Sequence, residues 1–361
     1  MHAFAPSRGP SRRRVVPLML CIAGAVSACG RPVRAEEPSL PPLITPETER
    51  AMARGLAYLG RTQSRDGGWR HEGPTGHYPV AMTALAGLAL LANGNTPTQG
   101  QYAPQVSRAI QFTLDSVQTG GLLAQPEETS HSMHGHGFAM LFLGQCLGME
   151  ADPETQERIQ AVLRQAVVLT GKSQSTLGGW YYTPGSRHDE GSVTVTQLQG
   201  LRSCRNAGVA VPKGVVERAL GYLDKSLQPD GGIAYRAGQG GGSRPPITAA
   251  AVACWYNAGV YEDPRVTRAL AYCKKNIPVA GSGGRGLWGH YYYAHLYMAQ
   301  IMWLSGDANW QGYFPAMRDQ LLSLQNDDGS WMGDGVGKTY GTAIALLILQ
   351  LPYDCLPIMQ R

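Results

Sequence analysis

Two kinds of hydrophobic segment alternate along residues 50–351 of this sequence. The first kind has apolar residues at helical spacing on one face, and it opens with an arginine. It ends at a glycine turn such as Asp66-Gly67-Gly68, after which a polar loop leads to a second segment that is apolar on nearly every face. Six copies of this pair recur at steps of 50 to 56 residues, and their first segments open at Arg54, Arg108, Arg164, Arg218, Arg268 and Arg318.

Each repeat is therefore predicted to be a pair of helices, the first amphipathic and the second buried. We expect the second helices at residues 80–91, 137–147, 193–207, 247–258, 291–304 and 342–351. Such a pair cannot bury its apolar helix alone, so successive pairs must stack with the second helices inside. Six pairs can close a ring, which predicts an all-α protein of inner and outer helix layers, an α/α toroid. An open superhelix is the structural alternative, and it would leave apolar flanks exposed at its ends.

The first and last repeats carry a more specific motif. Residues 54–69 read Arg-Gly-x-x-Tyr-Leu-x-x-x-Gln-x-x-x-Gly-x-Trp, and residues 325–331 read Gln-Asn-Asp-Asp-Gly-Ser-Trp. The motif resembles the QW repeat of squalene-hopene and oxidosqualene cyclases, whereas the third and fourth copies are degenerate. The resemblance implies the toroid fold of terpene cyclases and protein prenyltransferases. It also implies a structural role for the motif, in which the glutamine bonds to a helix end and the indole packs on a neighbouring pair.

The catalytic signatures of those families are absent from this sequence. There is no DxDD acid motif, because Asp327-Asp328 belongs to the turn of the last repeat, and the repeats are enough for one ring only. The Asp-x-Cys pair that holds zinc in protein prenyltransferases is missing, as is the CGEQ thioester sequence of complement-like toroids. Cyclase or transferase activity therefore does not follow from the resemblance alone.

Candidate chemistry collects in the loops that precede the second helices. Inner helices of a toroid run in the same direction, so these loops should meet at one rim, where the helix N-termini also favour an anionic group. Seven of the nine histidines fall there. The candidate catalytic residues are His134, His136, Asp189, Glu190, His290 and His295, and we expect those from adjacent repeats to lie within hydrogen-bonding reach of one another.

Three interpretations of this rim remain open from the sequence. A carboxylate beside an imidazole would supply acid and base near neutral pH for a lyase, hydrolase or cyclase. Histidines together with Asp189 could instead furnish the three ligands of a zinc site. The third interpretation is a polar, hydrogen-bonded cavity rim without catalysis.

The second helices also supply residues that could line a central cavity. These predicted cavity-lining residues are Phe138, Arg244, Trp255, Tyr291, Tyr293 and Tyr340. In the cyclases that this protein resembles, such aromatic rings stabilise carbocations through their negative faces. Aromatic residues at helical spacing are more commonly plain core residues.

The N-terminus is typical of an export signal. Arg12, Arg13 and Arg14 precede an apolar stretch at residues 15–28 that is too short to span a bilayer comfortably. Residues 26–29 read Val-Ser-Ala-Cys and resemble a bacterial lipobox, which predicts lipidation of Cys29 and attachment to a membrane of the cell envelope. An ordinary signal peptide cleaved after Ala35 is the alternative. We therefore assign residues 1–35 to the leader, 36–49 to a linker and 50–361 to the toroid.

Composition agrees with a globular exported protein. Of 361 residues, 43% are hydrophobic and 16% are charged, so the chain can bury a large core. The net charge of +5 is spread along the chain without a basic aromatic patch, which argues against nucleic acid as a partner. The five cysteines beyond the leader, Cys146, Cys204, Cys254, Cys273 and Cys355, are far apart in sequence and are predicted to be buried thiols.

Taken together, the sequence predicts an exported, periplasmic or lipid-anchored toroid that binds an apolar or isoprenoid-like small molecule in its central cavity. Two alternatives stay open. One is a non-catalytic envelope scaffold or protein-binding module. The other is a hydrolase or lyase that uses a metal or an acid–base pair on the same toroid. The sequence does not decide between an enzyme and a binding protein, and it names neither the ligand nor the oligomeric state.

Overall fold

The computed structural model describes residues 40–70, 78–128, 130–280 and 289–360. This part of the chain forms twelve α-helices and no β-sheet. They are α1 (Pro46–Thr62), α2 (Pro79–Ala92), α3 (Ala103–Asp115), α4 (Ser132–Cys146), α5 (Pro153–Lys172), α6 (Gly191–Asn206), α7 (Lys213–Ser226), α8 (Pro245–Asn257), α9 (Pro264–Asn276), α10 (Tyr291–Leu304), α11 (Asp307–Leu324) and α12 (Lys338–Leu349). Short 3-10 helices lie at Pro126–Glu128, Leu351–Tyr353 and Pro357–Met359.

Odd-numbered helices form an outer layer and even-numbered helices an inner layer. Every residue of α2 is buried, as its uniformly apolar sequence requires. The outer helix α9, by contrast, buries only Val266, Ala269 and Cys273, which lie on one face. The six predicted helix pairs are thus present, with the more apolar helix of each pair inside.

The inner helices close into a ring. Each contacts the next in chain order, and α12 contacts both α1 and α2 of the first repeat. Across this junction Gln350 Nε2 donates to Ala89 O at 2.9 Å, and Gln325 Nε2 donates to Ala51 O at 2.8 Å. The predicted α/α toroid is confirmed, and the open superhelix is excluded because the two ends of the repeat array are joined.

Neighbouring inner helices run parallel and approach closely through glycines. A Cβ on Gly137 of α4 would lie 2.7 Å from Thr196 of α6, and one on Gly144 would lie 2.5 Å from Ser203, so the two helices advance in the same direction. The α2 and α4 helices are related in the same way, since Gly87 faces Phe142 while Gly135 faces the start of α2. The N-termini of the inner helices therefore share one rim.

The motif glutamines and tryptophans hold the helix pairs together. Gln63 Nε2 donates to Gly67 O at 2.8 Å and to Gln105 O of the next outer helix at 2.9 Å. Trp69 Nε1 donates to Leu59 O of α1 at 3.0 Å, which ties the turn to its own outer helix. In the last repeat, the Trp331 ring packs on Gly55 of the first. These contacts are the structural role that the motif implies.

The remaining expectations about the chain concern its cysteines and its N-terminus. All five cysteines beyond the leader are free, and four are buried while Cys355 is partly exposed. The predicted leader lies outside the described residues, and α1 begins at Pro46, within the segment assigned to the linker. No helix in the described part of the chain combines the length and apolar character needed to cross a bilayer.

Candidate functional site

A cavity of about 500 Å³ lies at the N-terminal ends of the inner helices. All six inner helices contribute to its wall, so it occupies the centre of the ring at the rim that the sequence predicts. Its lining residues are Tyr78, Ala81, Met82, Leu85, His131, His134, Phe138, Tyr182, Ser192, Tyr235, Arg244, Pro246, Ile247, His290, Tyr293, Val336 and Tyr340.

The lining is divided into an apolar wall and a polar mouth. Met82 and Leu85 of α2, Phe138 of α4 and Ile247 of α8 form the apolar wall. Deeper in the ring, Tyr297 of α10 is buried and lies close to Thr196 of α6, the inner helix two positions away. All lining residues belong to the N-terminal halves of the inner helices or to the loops before them, so the cavity lies toward one rim.

The polar mouth carries imidazole, guanidinium and phenol groups. Its members are His131, His134, Arg244, His290, Tyr78, Tyr182 and Tyr235. The Tyr182 and Tyr235 hydroxyls are hydrogen-bonded to each other, and the His131 ring packs on Tyr182 with 4.5 Å between ring centroids. No carboxylate belongs to the cavity lining in the described part of the chain.

Carboxylates at this rim bind helix N-termini instead. Glu128 is 2% exposed and accepts from Val80 N at the start of α2 at 3.2 Å. Asp334 accepts from Tyr292 N and Tyr293 N at the start of α10, both at 3.0 Å. Burial raises the pKa of Glu128 to about 7 and also raises that of Asp334, although the backbone donors oppose both shifts.

In both caps, a loop residue of one repeat accepts hydrogen bonds from the free N–H groups of the inner helix in the repeat before it. Glu128 precedes α4 and caps α2, while Asp334 precedes α12 and caps α10. Backbone carbonyls do the same elsewhere, since Tyr182 O accepts from Met133 N of α4 at 3.0 Å and Tyr235 O accepts from Gly191 N of α6 at 2.9 Å. Successive repeats are thereby interlocked at the rim.

A hydrogen-bonded chain runs from the cavity to a buried carboxyl group. His134 Nε2 lies 3.2 Å from Ser192 Oγ, and the Ser192 hydroxyl donates to both oxygens of Glu190 at 2.8 Å. Glu190 is completely buried and caps its own helix, accepting from Val193 N at 2.5 Å and Ser192 N at 2.8 Å. Burial raises the pKa of Glu190 to about 7 and, with the nearby His131, lowers that of His134 to about 4.

The structure brings only some of the predicted catalytic residues to the cavity. His134 and His290 line it, and Glu190 reaches it through Ser192. Asp189 does not, because it is turned away and accepts from Ser175 Oγ at 2.7 Å. The expected meeting of these groups at one rim therefore holds for part of the set.

His136 and His295 are the clearest corrections to that expectation. His136 Nδ1 accepts from Leu123 N at 3.2 Å, and Nε2 bonds to Thr170 Oγ1 of the outer helix α5 at 3.0 Å. His295 lies against the outer helix α11, with Nδ1 2.9 Å from the Tyr313 hydroxyl. Both imidazoles point between the two helix layers and away from the cavity.

Comparison of the repeats gives the physical reason for this placement. The backbone N–H of the residue after each glycine turn needs an acceptor, and in four repeats a threonine hydroxyl supplies it at 2.8 to 3.0 Å. His136 accepts the equivalent bond in α4, and His295 is likewise the fifth residue of its helix. The threonines in question are Thr83, Thr194, Thr248 and Thr342.

Four of the six predicted cavity-lining residues, Phe138, Arg244, Tyr293 and Tyr340, belong to the cavity. Tyr291 does not, because its ring packs on His295 and its hydroxyl donates to Val279 O at 3.1 Å. Trp255 is buried in the C-terminal half of α8, away from the cavity mouth.

Sequence reasoning missed Ser192, Tyr182 and Tyr235. The tyrosines share a position two residues after Trp180 and Ile233, which an alignment of the repeats could have revealed.

The zinc interpretation finds no ligand set in the described residues. Nowhere among them do three His, Cys, Asp or Glu side chains come together in positions to hold a metal ion. His136 and His295 use ring nitrogens to bond the protein itself, and Asp189 accepts from Ser175 Oγ. Of the ligands that the sequence offered, only His134 and His290 lie at the cavity.

Comparison with known proteins relates the chain to other toroids. No family model matches it. A drimenyl diphosphate synthase from Streptomyces showdoensis is 25% identical over 191 residues, which is 53% of this chain and 33% of that protein. The match thus spans about a third of the length of this curated relative.

Solved structures extend the likeness over most of the fold. A type II terpene cyclase variant from Scytonema, in complex with geranylgeranyl dihydroxybenzoate, has a TM-score of 0.61 at 15% identity and covers 86% of this chain and 98% of its own. An inactive variant of an α-1,6-mannanase from a Salegentibacter strain, in complex with α-1,6-mannotriose, has a TM-score of 0.61 at 9% identity and covers 84% and 98%. At these identities the likeness shows the α/α-toroid fold alone.

The buried imidazole of His136 predicts a pH dependence of stability. Burial lowers its pKa to about 4 in the folded protein, whereas the unfolded chain titrates near 6.5. Between these values the unfolded state binds more protons, so wild-type stability should fall as pH falls from about 6.5 to about 4. His136→Gln keeps an acceptor and a donor but cannot titrate. The wild type should therefore lose on the order of 3 kcal/mol relative to this variant over that interval.

Urea unfolding of both proteins at several pH values measures this difference directly, because the contributions of all other groups cancel. His188→Gln, which alters an exposed histidine, is the matched control and should follow the wild-type profile. Parallel profiles for wild type and His136→Gln would contradict the assignment of a neutral structural imidazole.

Proposed function

We propose that the central cavity binds an isoprenoid-like amphiphile, with its hydrocarbon chain against the apolar wall and an anionic head group at the mouth. This proposal rests on the separation of the cavity lining into an apolar wall and a polar mouth. Met82, Leu85, Phe138 and Ile247 offer a surface that only an apolar chain fits without loss of hydrogen bonds. The mouth offers the donors that an anionic oxygen group requires.

The electrostatics of the mouth favour an anion over a cation. Arg244 and His290 line it, and the described part of the lining contains no carboxylate, although the buried Asp334 lies near enough to His290 to interact with it electrostatically. Three carboxyl groups lie at the same rim, those of Glu128, Glu190 and Asp334. Their oxygens accept hydrogen bonds from backbone N–H groups. A phosphate or carboxylate of the ligand could therefore accept hydrogen bonds at the mouth, while these three carboxyl groups stay bonded to backbone N–H groups.

The comparisons support an isoprenoid more than a carbohydrate. The Streptomyces relative is named for a terpene diphosphate, and the Scytonema cyclase holds a prenyl chain joined to a benzoate. The mannanase fold neighbour raises the alternative of glycoside hydrolysis, which generally needs two carboxyl groups flanking the bond that is cleaved. No carboxylate lines this cavity in the described residues, so the hydrolase alternative is the less favoured.

Farnesyl diphosphate is a suitable probe for the binding proposal. Isothermal titration should show saturable binding of one molecule per chain. Arg244→Met should raise Kd by about tenfold or more, because it removes a charge-assisted hydrogen bond at the mouth. Arg158→Met, which removes a guanidinium from the outer helix α5, should leave Kd unchanged. Equal affinity of wild type and Arg244→Met, or binding of inorganic diphosphate as tight as that of farnesyl diphosphate, would contradict the proposal.

The hydrogen-bonded chain of His134, Ser192 and Glu190 favours a second candidate function, proton transfer to and from the bound ligand. A proton on Glu190 can pass to Ser192 Oγ, which then presents its own proton to His134 or to the ligand. An alkene that gains this proton at one carbon and returns one from another carbon to the Glu190 carboxylate, through Ser192, leaves as an isomer of equal mass. This candidate rests on the ligand being an unsaturated chain.

Incubation of farnesyl diphosphate with the protein in D₂O tests proton transfer. The expected product is an isomer that has gained deuterium at carbon, and its rate of formation should fall as pH rises through about 7, where Glu190 loses its proton. Ser192→Ala breaks the chain and keeps the backbone bonds of the cap, so it should abolish deuterium incorporation while farnesyl diphosphate still binds. Equal rates for wild type and Ser192→Ala would eliminate the candidate.

Export and attachment through a lipid on Cys29 are also part of the proposed function. They rest on the sequence of residues 1–35 alone, which lie outside the described part of the chain. Cys29→Ser should leave the protein exported but move it from the membrane fraction to the soluble fraction of the envelope. A distribution between the fractions that the substitution does not change, with a mature N-terminus at Glu36 in both proteins, would instead support the ordinary signal peptide.

A further inference from the structure

A second cavity of about 390 Å³ lies near the other end of the inner helices. It is bounded by the C-terminal halves of α6 and α8 and by the N-terminal half of the outer helix α7. Its lining residues are Leu198, Gln199, Leu201, Arg202, Arg205, Val211, Lys213, Val216, Glu217, Leu220, Cys254, Asn257 and Ala258. It shares no residue with the central cavity.

Two buried donors in this lining lack hydrogen-bond partners. Gln199 is 3% exposed, and its Oε1 accepts from Asn257 Nδ2 at 3.1 Å, which orients the amide. Its Nε2 and the Nε of Arg202 are buried without a partner among the described residues. Leaving buried donors unsatisfied costs free energy, so both atoms indicate that an acceptor from outside the chain belongs here.

Charge around these donors is predominantly positive. Arg202, Arg205 and Lys213 line the cavity, and the one acidic lining residue, Glu217, is bonded to Lys213 at 3.0 Å. The N-terminus of α7 begins at Lys213 and has no side-chain cap, so its free N–H groups add to the positive potential. Arg205 lies in the last turn of α6, where a cation interacts favourably with the free carbonyl groups of the helix end. That interaction would explain the presence of Arg205, but it would not explain the unpartnered donors of Gln199 and Arg202.

Most of the remaining lining residues are aliphatic. Leu198 and Leu201 of α6 face Val211, Val216 and Leu220 of the α7 segment across the cavity. An inorganic anion would satisfy the donors but would leave this surface without contacts. A neutral hydrocarbon would cover the surface and leave Gln199 Nε2 unsatisfied. A ligand that meets both demands has an anionic oxygen head and a short apolar chain.

We propose that this second cavity is a binding site for a small aliphatic carboxylate, held at its head by Gln199 Nε2 and Arg202 and at its chain by the leucines and valines of α6 and α7. The site is independent of the proposed function of the central cavity, because the two cavities lie toward opposite ends of the inner helices. The ligand joins α6, α7 and α8 and should raise the thermal stability of the protein on binding.

A photoreactive decanoate with a diazirine on its chain tests the proposal on the full-length protein. Cross-links mapped by mass spectrometry should fall at residues 198–220. Excess decanoate should suppress them, whereas decanol, which lacks the charge, and acetate, which lacks the chain, should not. Peptides that contain residues 78–85 and 131–138 report the central cavity in the same experiment, so failure of one site is distinguishable from failure of the other.

Two variants localise the head group. Gln199→Glu keeps an oxygen for Asn257 and replaces the unpartnered donor by an anion, and Arg202→Met keeps the aliphatic stem without the charge. Each should reduce labelling of residues 198–220 by about tenfold or more, while Arg158→Met should not change it, and thermal melting establishes that all three are folded. Labelling confined to the central-cavity peptides, or labelling of residues 198–220 that neither variant reduces, would overturn the proposal.

Discussion

Closing a ring of parallel inner helices gathers their free N–H groups at a single rim, and satisfying those groups determines how the loops of this protein are built. A helix N-terminus leaves its first N–H groups without intrahelical partners, and buried donors need acceptors. For α2, α4, α6 and α10 an acceptor comes from the next repeat, as Glu128 on α2 and Asp334 on α10 illustrate. The interlock joins these repeats to their neighbours at the rim where the central cavity opens.

This use of carboxylates decides the character of the central cavity. Because Glu128, Glu190 and Asp334 bond to backbone, the mouth presents imidazoles, phenols and a guanidinium, and no acidic residue lines it in the part of the chain that the structure describes. Burial raises the pKa of Glu190 to about 7 despite its backbone donors, so a group with a structural task also holds a proton near neutral pH. Glu190 is thus both the cap of α6 and, through Ser192, a candidate proton donor to the cavity.

Much of the fold could be predicted because the periodicity repeats six times. The Arg54 to Trp69 motif and the uniformly apolar second helices specify layers, ring and parallel direction. The site was harder to predict because proximity to a rim does not fix the direction of a side chain. His136 and His295 looked like rim residues within their own repeats, whereas register with Thr83 identifies His136 as a turn acceptor and places His295 at the same position of its helix. Glu128 and Asp334 were missed because each acts on the helix of another repeat.

The central claim is that the one-sided rim makes a polar mouth over an apolar pocket and so orients its ligand. A crystal structure of the protein with bound farnesyl diphosphate tests this claim most directly. The account predicts the diphosphate within hydrogen-bonding distance of Arg244 and His134, and the farnesyl chain against Phe138 and Leu85. A chain directed out through the mouth with the diphosphate inside, or a ligand bound anywhere outside this cavity, would contradict it.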